Sequence, residues 1–257
     1  MKIDLKFVPS KINNNKVLNK SIYFMHIPKS GGTTIDRIFI KLFSILKNFT
    51  FERFKNKSGI FNNKLSEKYI DYNKKYFISG HLNYDFCNDL QDTFKCSIVR
   101  DPTSRVTSHY KFMVFKKNTT PDNYTFKEFI SDEVKTNRDN LITRHFAGLL
   151  DENMKIEEKQ NQSAIKNINS FDVIYTFENW DIFLSEILSR FGFPSILYSR
   201  FQQHKYNFLY SPNEEDLKLI KKFYSHDFDI YSKILNFNNN NEYIKSNHYN
   251  KNICVVS

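Results

Sequence analysis

Short apolar runs alternate along this chain with segments whose apolar residues recur every three or four positions. The run 21–27, SIYFMHI, has the length and composition of a buried strand, and 96–99, CSIV, is a similar run. Helical spacing follows each run, at Ile35, Ile38, Phe39, Leu42 and Leu46 and at Val106, Tyr110 and Met113. Strands that alternate with amphipathic helices predict an α/β fold with a mainly parallel sheet.

This alternation extends over residues 19–235, which we predict to form one domain. The chain has 257 residues, of which 40% are hydrophobic, 16% aromatic and 26% charged, and these values exclude collagen-like, coiled-coil and wholly disordered classes. Residues 1–18 and 236–257 are polar and rich in Asn and Lys, so we predict that they are terminal segments outside the domain.

The formal net charge of +10 favours an anionic partner, such as a nucleotide, an acidic polysaccharide, nucleic acid or lipid headgroups. No run approaches the roughly 20 apolar residues of a membrane span, and residues 1–20 lack the apolar core of a signal peptide. We therefore expect a cytoplasmic protein without a membrane span. The three cysteines lack the spacing of zinc or redox motifs, so we expect spectator thiols and no metal site.

The first predicted strand and helix are joined by PKSGGTT, residues 28–34, which contains two of the six glycines in the chain. Such a turn directs several backbone N–H groups and the positive end of the helix dipole at one point, which suits a phosphate or similar oxyanion. Gly31 and Gly32 allow close approach, Lys29 adds a positive charge, and hydroxyl donors come from Ser30, Thr33 and Thr34.

The order of residues in this turn differs from a Walker A motif, because the lysine precedes the glycines. This difference argues against an ordinary ATPase. Taken alone, the turn is equally compatible with a simple connection in which Lys29 is solvated.

A second strand-to-helix junction lies at 96–102, CSIVRDP, with Thr103 or Ser104 as the predicted helix N-cap. Arg100 at the strand end and Ser108 on the helix are candidates to bind one anion. The alternatives are an ion pair between Arg100 and Asp101 and an ordinary hydroxyl on the helix surface. Ligands of open α/β sheets bind outside the carboxyl ends of strands, where both junctions are expected.

The two junctions resemble the motifs of a known family. Residues 24–35, FMHIPKSGGTTI, resemble the 5′-phosphosulfate-binding loop of sulfotransferases, and residues 98–110, IVRDPTSRVTSHY, resemble their 3′-phosphate-binding strand and helix. The closest resemblance is to carbohydrate sulfotransferases related to the heparan sulfate 2-O and 6-O enzymes. The resemblance extends over about residues 20–235 through weaker matches at 171–178, 211–214 and 227–231. Residues 211–214 are also a predicted helix start with a capping box.

The resemblance implies a P-loop-like, nucleotide-binding three-layer fold and the donor 3′-phosphoadenosine 5′-phosphosulfate (PAPS), without a metal. It implies transfer of a sulfuryl group to an acceptor hydroxyl of a carbohydrate or small molecule. Lys29 would stabilise charge on the leaving phosphate. Residues implied to hold the 5′ end are Lys29, Ser30, Gly31, Gly32, Thr33 and Thr34, and those for the 3′-phosphate are Arg100 and Ser108.

The acceptor hydroxyl needs a general base, and a histidine with a pKa near neutrality is the usual one. His81 follows the short apolar run 76–80, which ends in a glycine, and the resembling family has a catalytic base in a comparable position. The alternatives are a purely structural role for this histidine and a carboxylate base from the same interval: Glu52, Glu67 or Asp85.

Acceptor-side signals are weaker than those for the donor. The segment 137–148 resembles one near the acceptor groove of the family, which makes Arg138 and Arg144 candidates for an acidic substrate. Structural ion pairs are the commoner role of such arginines. Residues 202–207 are placed by analogy at the nucleotide end of the donor.

Three other functions remain open at this point. The first is a catalytically inactive nucleotide- or polyanion-binding protein of the same fold. The second is a nucleotide kinase, which would need Mg²⁺ and a Walker-type lysine. The third is a nucleic-acid binder, for which charge is the sole argument; we expect no nucleic-acid partner.

Overall fold

The computed structural model describes residues 5–7, 20–45, 49–54, 75–88, 90, 92–149, 154–191, 196–198, 206, 208–240 and 253–255. The strands are β1 (Leu5–Phe7), β2 (Ser21–Met25), β3 (Phe49–Phe54), β4 (Lys75–Gly80), β5 (Thr93–Val99), β6 (Val173–Thr176), β7 (Ile196–Tyr198) and β8 (Ile253–Val255). The helices are α1 (Gly32–Ile45), α2 (Tyr84–Asn88), α3 (Pro102–Lys116), α4 (Phe126–Lys135), α5 (Leu141–Phe146), α6 (Glu158–Ile168), α7 (Trp180–Arg190), α8 (Glu214–Phe223) and α9 (Ser225–Asn240), and a 3-10 turn spans Phe177–Asn179.

A five-stranded sheet of order β3-β4-β2-β5-β6 forms the centre of the fold, and every neighbouring pair in it is parallel. Met25 at the end of β2 pairs with Gly80 on β4 and with Ser97 on β5. This register brings the carboxyl ends of the three strands to the same edge. A smaller sheet of order β1-β7-β8 combines one antiparallel and one parallel pair.

Helices cover both faces of the central sheet, which explains why β6 is buried at every position and β2 at every position except Ser21. On β2, Ile22 and Phe24 pack with α1 and α7, while Tyr23 and Met25 pack with α5, α6 and α9. A third apolar cluster joins α3, α4 and α8. The predicted α/β fold, with a mainly parallel sheet between layers of helices, is confirmed.

Two predicted helix starts were wrong by two or three residues. The N-cap of α3 is Asp101, whose carboxylate accepts from the Ser104 amide at 2.8 Å, with Pro102 as the first helical residue. Proline suits that position because its missing N–H would be unpaired there anyway. For α8 the cap is Asn213, in a capping box with Asp216, and Ser211 precedes the helix.

The predicted domain boundaries differ from the ends of the observed elements. Helix α9 continues through Asn240, past the predicted boundary at 235, and β1 and β8 come from the two terminal segments. The remainder of those segments lies outside the described residues.

Asp227, in the segment 227–231 singled out above, is a structural residue at the start of α9. Its buried carboxylate accepts from the amides of Ile142 and Thr143 at 3.3 and 2.8 Å and pairs with the Arg105 guanidinium at 3.6 Å. These contacts fix α3 and α5 against α9. None of the described helices is long and apolar enough to cross a bilayer.

Candidate active site

The site is built where the carboxyl ends of β2, β4 and β5 meet. The loop after β2 contains Lys29 and leads into α1, His81 follows β4 directly, and Arg100 follows β5. Residues separated by up to 71 positions in the sequence are thereby in contact, since Arg100 Nη1 donates to the Lys29 carbonyl at 3.4 Å. The topology thus places three of the residues that the sequence singled out at one edge of the sheet.

The loop between β2 and α1 has two residues in the left-handed region, Lys29 with φ 68° and Gly31 with φ 84°. The Ser30 amide donates to the Ile27 carbonyl at 3.2 Å, and the Thr34 amide donates to the Gly31 carbonyl at 3.0 Å. Each of these hydrogen bonds closes a turn. The Ser30 side chain is 1% exposed, and its hydroxyl has no hydrogen-bond partner among the described residues. A buried, unpaired hydroxyl beside a helix N-terminus fits an oxyanion ligand.

Both glycines of the loop are packed too closely to carry a side chain. A Cβ on Gly31 would lie 2.7 Å from the Phe177 ring and 2.8 Å from Trp180. A Cβ on Gly32 would overlap the imidazole of His26. The glycines therefore allow the loop to lie directly on the aromatic side chains beneath it.

The two cations of the site are each held by an aromatic ring. The Lys29 ammonium lies 4.7 Å from the centre of the Phe112 ring, and the Arg100 guanidinium lies 5.2 Å from that of Phe177. Burial, with the neighbouring Arg100 charge, lowers the pKa of Lys29 to about 8. Burial also lowers the pKa of Arg100, while Glu178 and Asp101 oppose that shift. Two positive charges are thus held side by side in a partly desolvated place.

Ser108 and Arg105 lie on α3 but have different surroundings. Ser108 is 9% exposed, one turn before Phe112, on the helix that begins beside Arg100. Arg105 is fully buried and paired with Asp227. The alternative ion pair of Arg100 with Asp101 is not among the ion pairs of the described residues, because Asp101 instead caps α3.

His81 is oriented by the backbone of the neighbouring strand. Its Nδ1 lies 2.8 Å from the His26 carbonyl oxygen. Because a carbonyl oxygen can only accept, Nδ1 carries the proton and Nε2 has the lone pair. The His26 and His81 rings are 4.5 Å apart between centres. This tautomer leaves Nε2 as the atom of His81 able to take a proton.

The carboxylate alternatives have weaker support from the structure. Asp85 is exposed on α2, and its carboxylate occupies the place where a Cβ on Gly148 would lie. Glu52 belongs to β3, the edge strand of the central sheet. Glu67 lies outside the described residues.

A buried polar network beneath the loop was missed by the sequence analysis. Asp36 on α1 is 1% exposed, accepts a short hydrogen bond from the Ser79 hydroxyl, and lies 3.7 Å from His26 Nδ1. The signal in the sequence was an acid on the apolar stripe of α1. The network links the loop to β4, the strand that carries His81.

A third histidine, His145, is completely buried. Its Nδ1 lies 2.8 Å from the Leu141 carbonyl oxygen, and burial lowers its pKa to about 3. His81 and His26 contribute to that lowering through their charges, so the three imidazoles are close enough to interact. His145 is therefore uncharged near neutral pH.

The acceptor-side candidates divide into a structural residue and an exposed one. Buried Arg144 donates to the Asp139 and Met154 carbonyls at 2.8 and 2.7 Å and pairs with the Asp139 carboxylate at 2.9 Å. These contacts give Arg144 the structural ion-pair role that the sequence analysis named as the alternative to substrate binding. Arg138 is exposed. Within 202–207, Tyr206 is described, and its ring lies 6.0 Å from Phe115; the other five residues are outside the description.

Comparison with known proteins identifies the family. A model of the sulfotransferase family matches residues 18–233. The chain belongs to this family. It is therefore a member of a family of sulfuryl transferases, whereas the resemblance to the heparan sulfate enzymes stays a prediction. None of the curated proteins matches this sulfotransferase.

Among solved structures, this sulfotransferase is similar to "Sulfotransferase from Alicyclobacillus acidocaldarius", with 13% sequence identity and a TM-score of 0.48. The match covers 86% of this chain and 97% of the other. The likeness is too distant to bear on donor or acceptor.

In the described part of the chain, no group of three or more His, Cys, Asp or Glu side chains is arranged to hold a metal ion.

The contact between Gly32 and His26 makes a testable prediction. Gly32→Ala is expected to lower the free energy of unfolding by about 1–3 kcal/mol, because the new methyl overlaps the imidazole. In Gly32→Ala/His26→Ala the ring is gone, so the cost should be smaller than the sum of the two single costs. Urea unfolding measures all three variants, with Thr33→Ala as an exposed control on the same turn. Additive costs would contradict this account.

Proposed function

We propose that this sulfotransferase transfers a sulfuryl group from PAPS to a hydroxyl of a carbohydrate or small molecule. The observation that supports the proposal is the pair of cations after β2 and β5, Lys29 and Arg100, which act on each other electrostatically while the Arg100 guanidinium donates to the Lys29 backbone carbonyl. No carboxylate of the described residues counters the Lys29 charge, and the pKa of Arg100 is lowered despite two nearby acids. Such a pair suits a ligand with several negative charges.

The loop after β2 fits the 5′ end of the donor. The N-terminus of α1, the buried Ser30 hydroxyl and the Lys29 ammonium all lie in or beside this loop and are suited to bind phosphate or sulfate oxygens. Gly31, Gly32, Thr33 and Thr34 supply the remaining backbone and hydroxyl donors of this loop. The lysine lies before the glycines, so its side chain reaches the anion from a different direction than in a Walker A loop.

The second junction fits the 3′-phosphate. Arg100 supplies a guanidinium with several donors in one plane, and Ser108 supplies a hydroxyl on the adjoining helix. The N-terminus of α3 adds its dipole on the same side. The two phosphate-bearing positions of one nucleotide would then lie across the edge between β2 and β5.

His81 is the proposed general base. Its Nε2 accepts the proton of the acceptor hydroxyl while the hydroxyl oxygen bonds to sulfur and the bond from sulfur to the bridging phosphate oxygen breaks. The His26 carbonyl, bonded to Nδ1–H at 2.8 Å, stabilises the imidazolium that results. This hydrogen bond therefore serves the proton transfer directly.

Lys29 is the proposed electrostatic catalyst. Its ammonium compensates the negative charge that develops on the bridging oxygen as the nucleotide leaves. Charge stabilisation by a preorganised cation is strongest in a partly desolvated site, and Lys29 occupies such a site. The donor and acceptor are thereby activated by residues from two adjacent strands.

Calorimetric titration with the desulfated product, 3′-phosphoadenosine 5′-phosphate (PAP), tests the donor site. Without Mg²⁺, we expect micromolar PAP binding, weaker binding of ATP and AMP, and at least tenfold weaker PAP binding after Arg100→Ala, because a phosphate contact is lost. Arg190→Ala, which removes an exposed arginine paired with Glu186, is the matched control. Equal binding of all three nucleotides would contradict the proposal and favour a general polyanion binder.

Substitution of His81 separates catalysis from binding. His81→Ala should lower turnover by about 10²–10⁴-fold, the range for loss of a general base, and leave PAP affinity within about twofold. Turnover is measured with PAPS and a panel of sugars, oligosaccharides and phenols. His226→Ala, at the start of α9, is the control. Full turnover in His81→Ala would exclude this base, and PAP binding without turnover in the unaltered protein would identify an inactive nucleotide binder.

The lowered pKa of Lys29 predicts a pH dependence of donor binding. The ammonium is charged below a pH of about 8 and loses its charge as the pH rises through that value, so PAP affinity should fall by up to about tenfold per pH unit above it. Calorimetry between pH 7 and 9.5 measures it, and Lys29→Arg should be nearly insensitive to pH because guanidinium stays charged. The same fall in Lys29→Arg would refute this assignment.

A further inference from the structure

Phe112 on α3 makes the closest aromatic contact of the lysine in the site. The Lys29 ammonium lies 4.7 Å from the centre of its ring. We propose that Phe112 is a positioning residue, whose ring holds the Lys29 ammonium in place for the donor. This inference rests on the proposed function, since the role concerns the same reaction.

The geometry of two elements fixes this contact. Phe112 lies four residues after Ser108, on the same side of α3 and one turn further along. The backbone of Lys29 is in the left-handed region, and its carbonyl accepts from Arg100 at 3.4 Å. With the main chain held in this way, the remaining freedom of Lys29 is in its side chain, and the ring limits that freedom.

Electrostatics explains why the ring is needed. Arg100 donates to the Lys29 carbonyl, and its charge acts on the Lys29 ammonium, so repulsion between the two cations would drive the flexible lysine side chain toward solvent. The negative face of an aromatic ring attracts an ammonium group and opposes this repulsion. The half-buried position of Phe112 strengthens the attraction, because less water competes for the cation.

The chemistry of the partner also matters. A carboxylate in this place would neutralise the ammonium and compete with the donor for it. A ring holds the charge without neutralising it and releases it to a stronger partner, such as a phosphate oxygen. Phe112 thus keeps Lys29 both fixed and available.

The ring current of Phe112 provides a direct test in the unliganded full-length protein. Lysines are reductively methylated with ¹³C, which keeps their charge, and the Lys29 signal is assigned from its loss in Lys29→Arg. We expect an upfield-shifted Lys29 signal, which moves to the normal position in Phe112→Leu and stays upfield in Phe112→Tyr. Phe115→Leu, the same change one turn further along α3, is the matched control and should leave the signal in place.

Kinetics on the unmethylated protein tests the consequence for catalysis. Phe112→Leu should lower kcat by about tenfold, with the KM for PAPS changed less than about threefold, because the lysine acts mainly on the charge of the transition state. Phe112→Tyr keeps the aromatic ring, so its kcat should be close to that of the unaltered protein. A general loss of packing would not explain this difference between the two variants. Thermal unfolding of both variants verifies that they are folded.

The outcomes separate this inference from the proposed function. A Lys29 signal without the upfield shift in the unaltered protein, or equal kcat in Phe112→Leu and Phe115→Leu, overturns the role of Phe112. PAP added to the methylated protein should move the Lys29 signal toward its normal position as the ammonium leaves the ring. A shifted signal in a protein that binds no PAP by calorimetry overturns the proposed donor site instead.

Discussion

The packing of Gly32 on the imidazole of His26 is the contact on which the site depends. It sets the height of the α1 N-terminus above the sheet, because a side chain at position 32 would meet the ring. The same residue, His26, donates its amide to Gly80 at 3.0 Å and accepts from His81 at 2.8 Å through its carbonyl. The candidate anion-binding loop and the candidate base are therefore both positioned by one residue, His26. Asp36 adds a second connection, since it bonds to Ser79 on β4 and lies beside the His26 ring. A change at any of these positions moves the loop relative to the base, and sub-ångström placement of reacting groups has large effects on rate.

Two arginines five residues apart, Arg100 and Arg105, differ in how deeply they are buried and in what they contact. Arg105 is fully buried and pairs with Asp227, which also binds the first amides of α5. This ion pair holds α3 in place, and removing one partner of such a pair leaves a buried charge uncompensated. Arg100 lies at the end of β5, contacts a carbonyl and an aromatic ring, and retains a lowered pKa. The first arginine fixes the helix that carries Ser108 and Phe112, and the second meets the ligand proposed here. Residue type and spacing in the sequence do not distinguish these roles, because the difference lies in the tertiary contacts: α9 supplies Asp227 to Arg105, whereas Arg100 contacts the Lys29 carbonyl and the Phe177 ring.

The features predicted correctly from the sequence are those that depend on local hydrophobic pattern and composition. The strands β2, β4 and β5 were predicted because both faces of a parallel sheet are buried, and the loop after β2 was singled out because glycines are scarce and two are adjacent. The start of α3 was misplaced because Asp101 and Pro102 were taken as the end of the strand, although they are the cap and the first residue of the helix. Asp36 and Ser79 were missed because they are 43 positions apart and meet only through the pairing of β2 with β4. The contact of Lys29 with Phe112 is of the same kind, since the packing of α3 against the loop creates it and periodicity cannot show it.

The aromatic contacts of the two cations address a general difficulty of anion sites. A site that binds several negative charges must keep positive charges together before the ligand arrives, at a cost in folding free energy from repulsion and desolvation. Acidic partners would remove that cost and also the preference for the ligand. In this sulfotransferase, Phe112 and Phe177 each lie against one of the cations, and the ring of Phe177 also abuts Gly31 of the loop. Rings attract cations without supplying a competing anion, so they limit the motion of Lys29 and Arg100 and leave both charges available to the proposed donor. Because the Phe177 ring contacts both Gly31 and Arg100, one rigid side chain sets the spacing between the two junctions proposed to bind the donor.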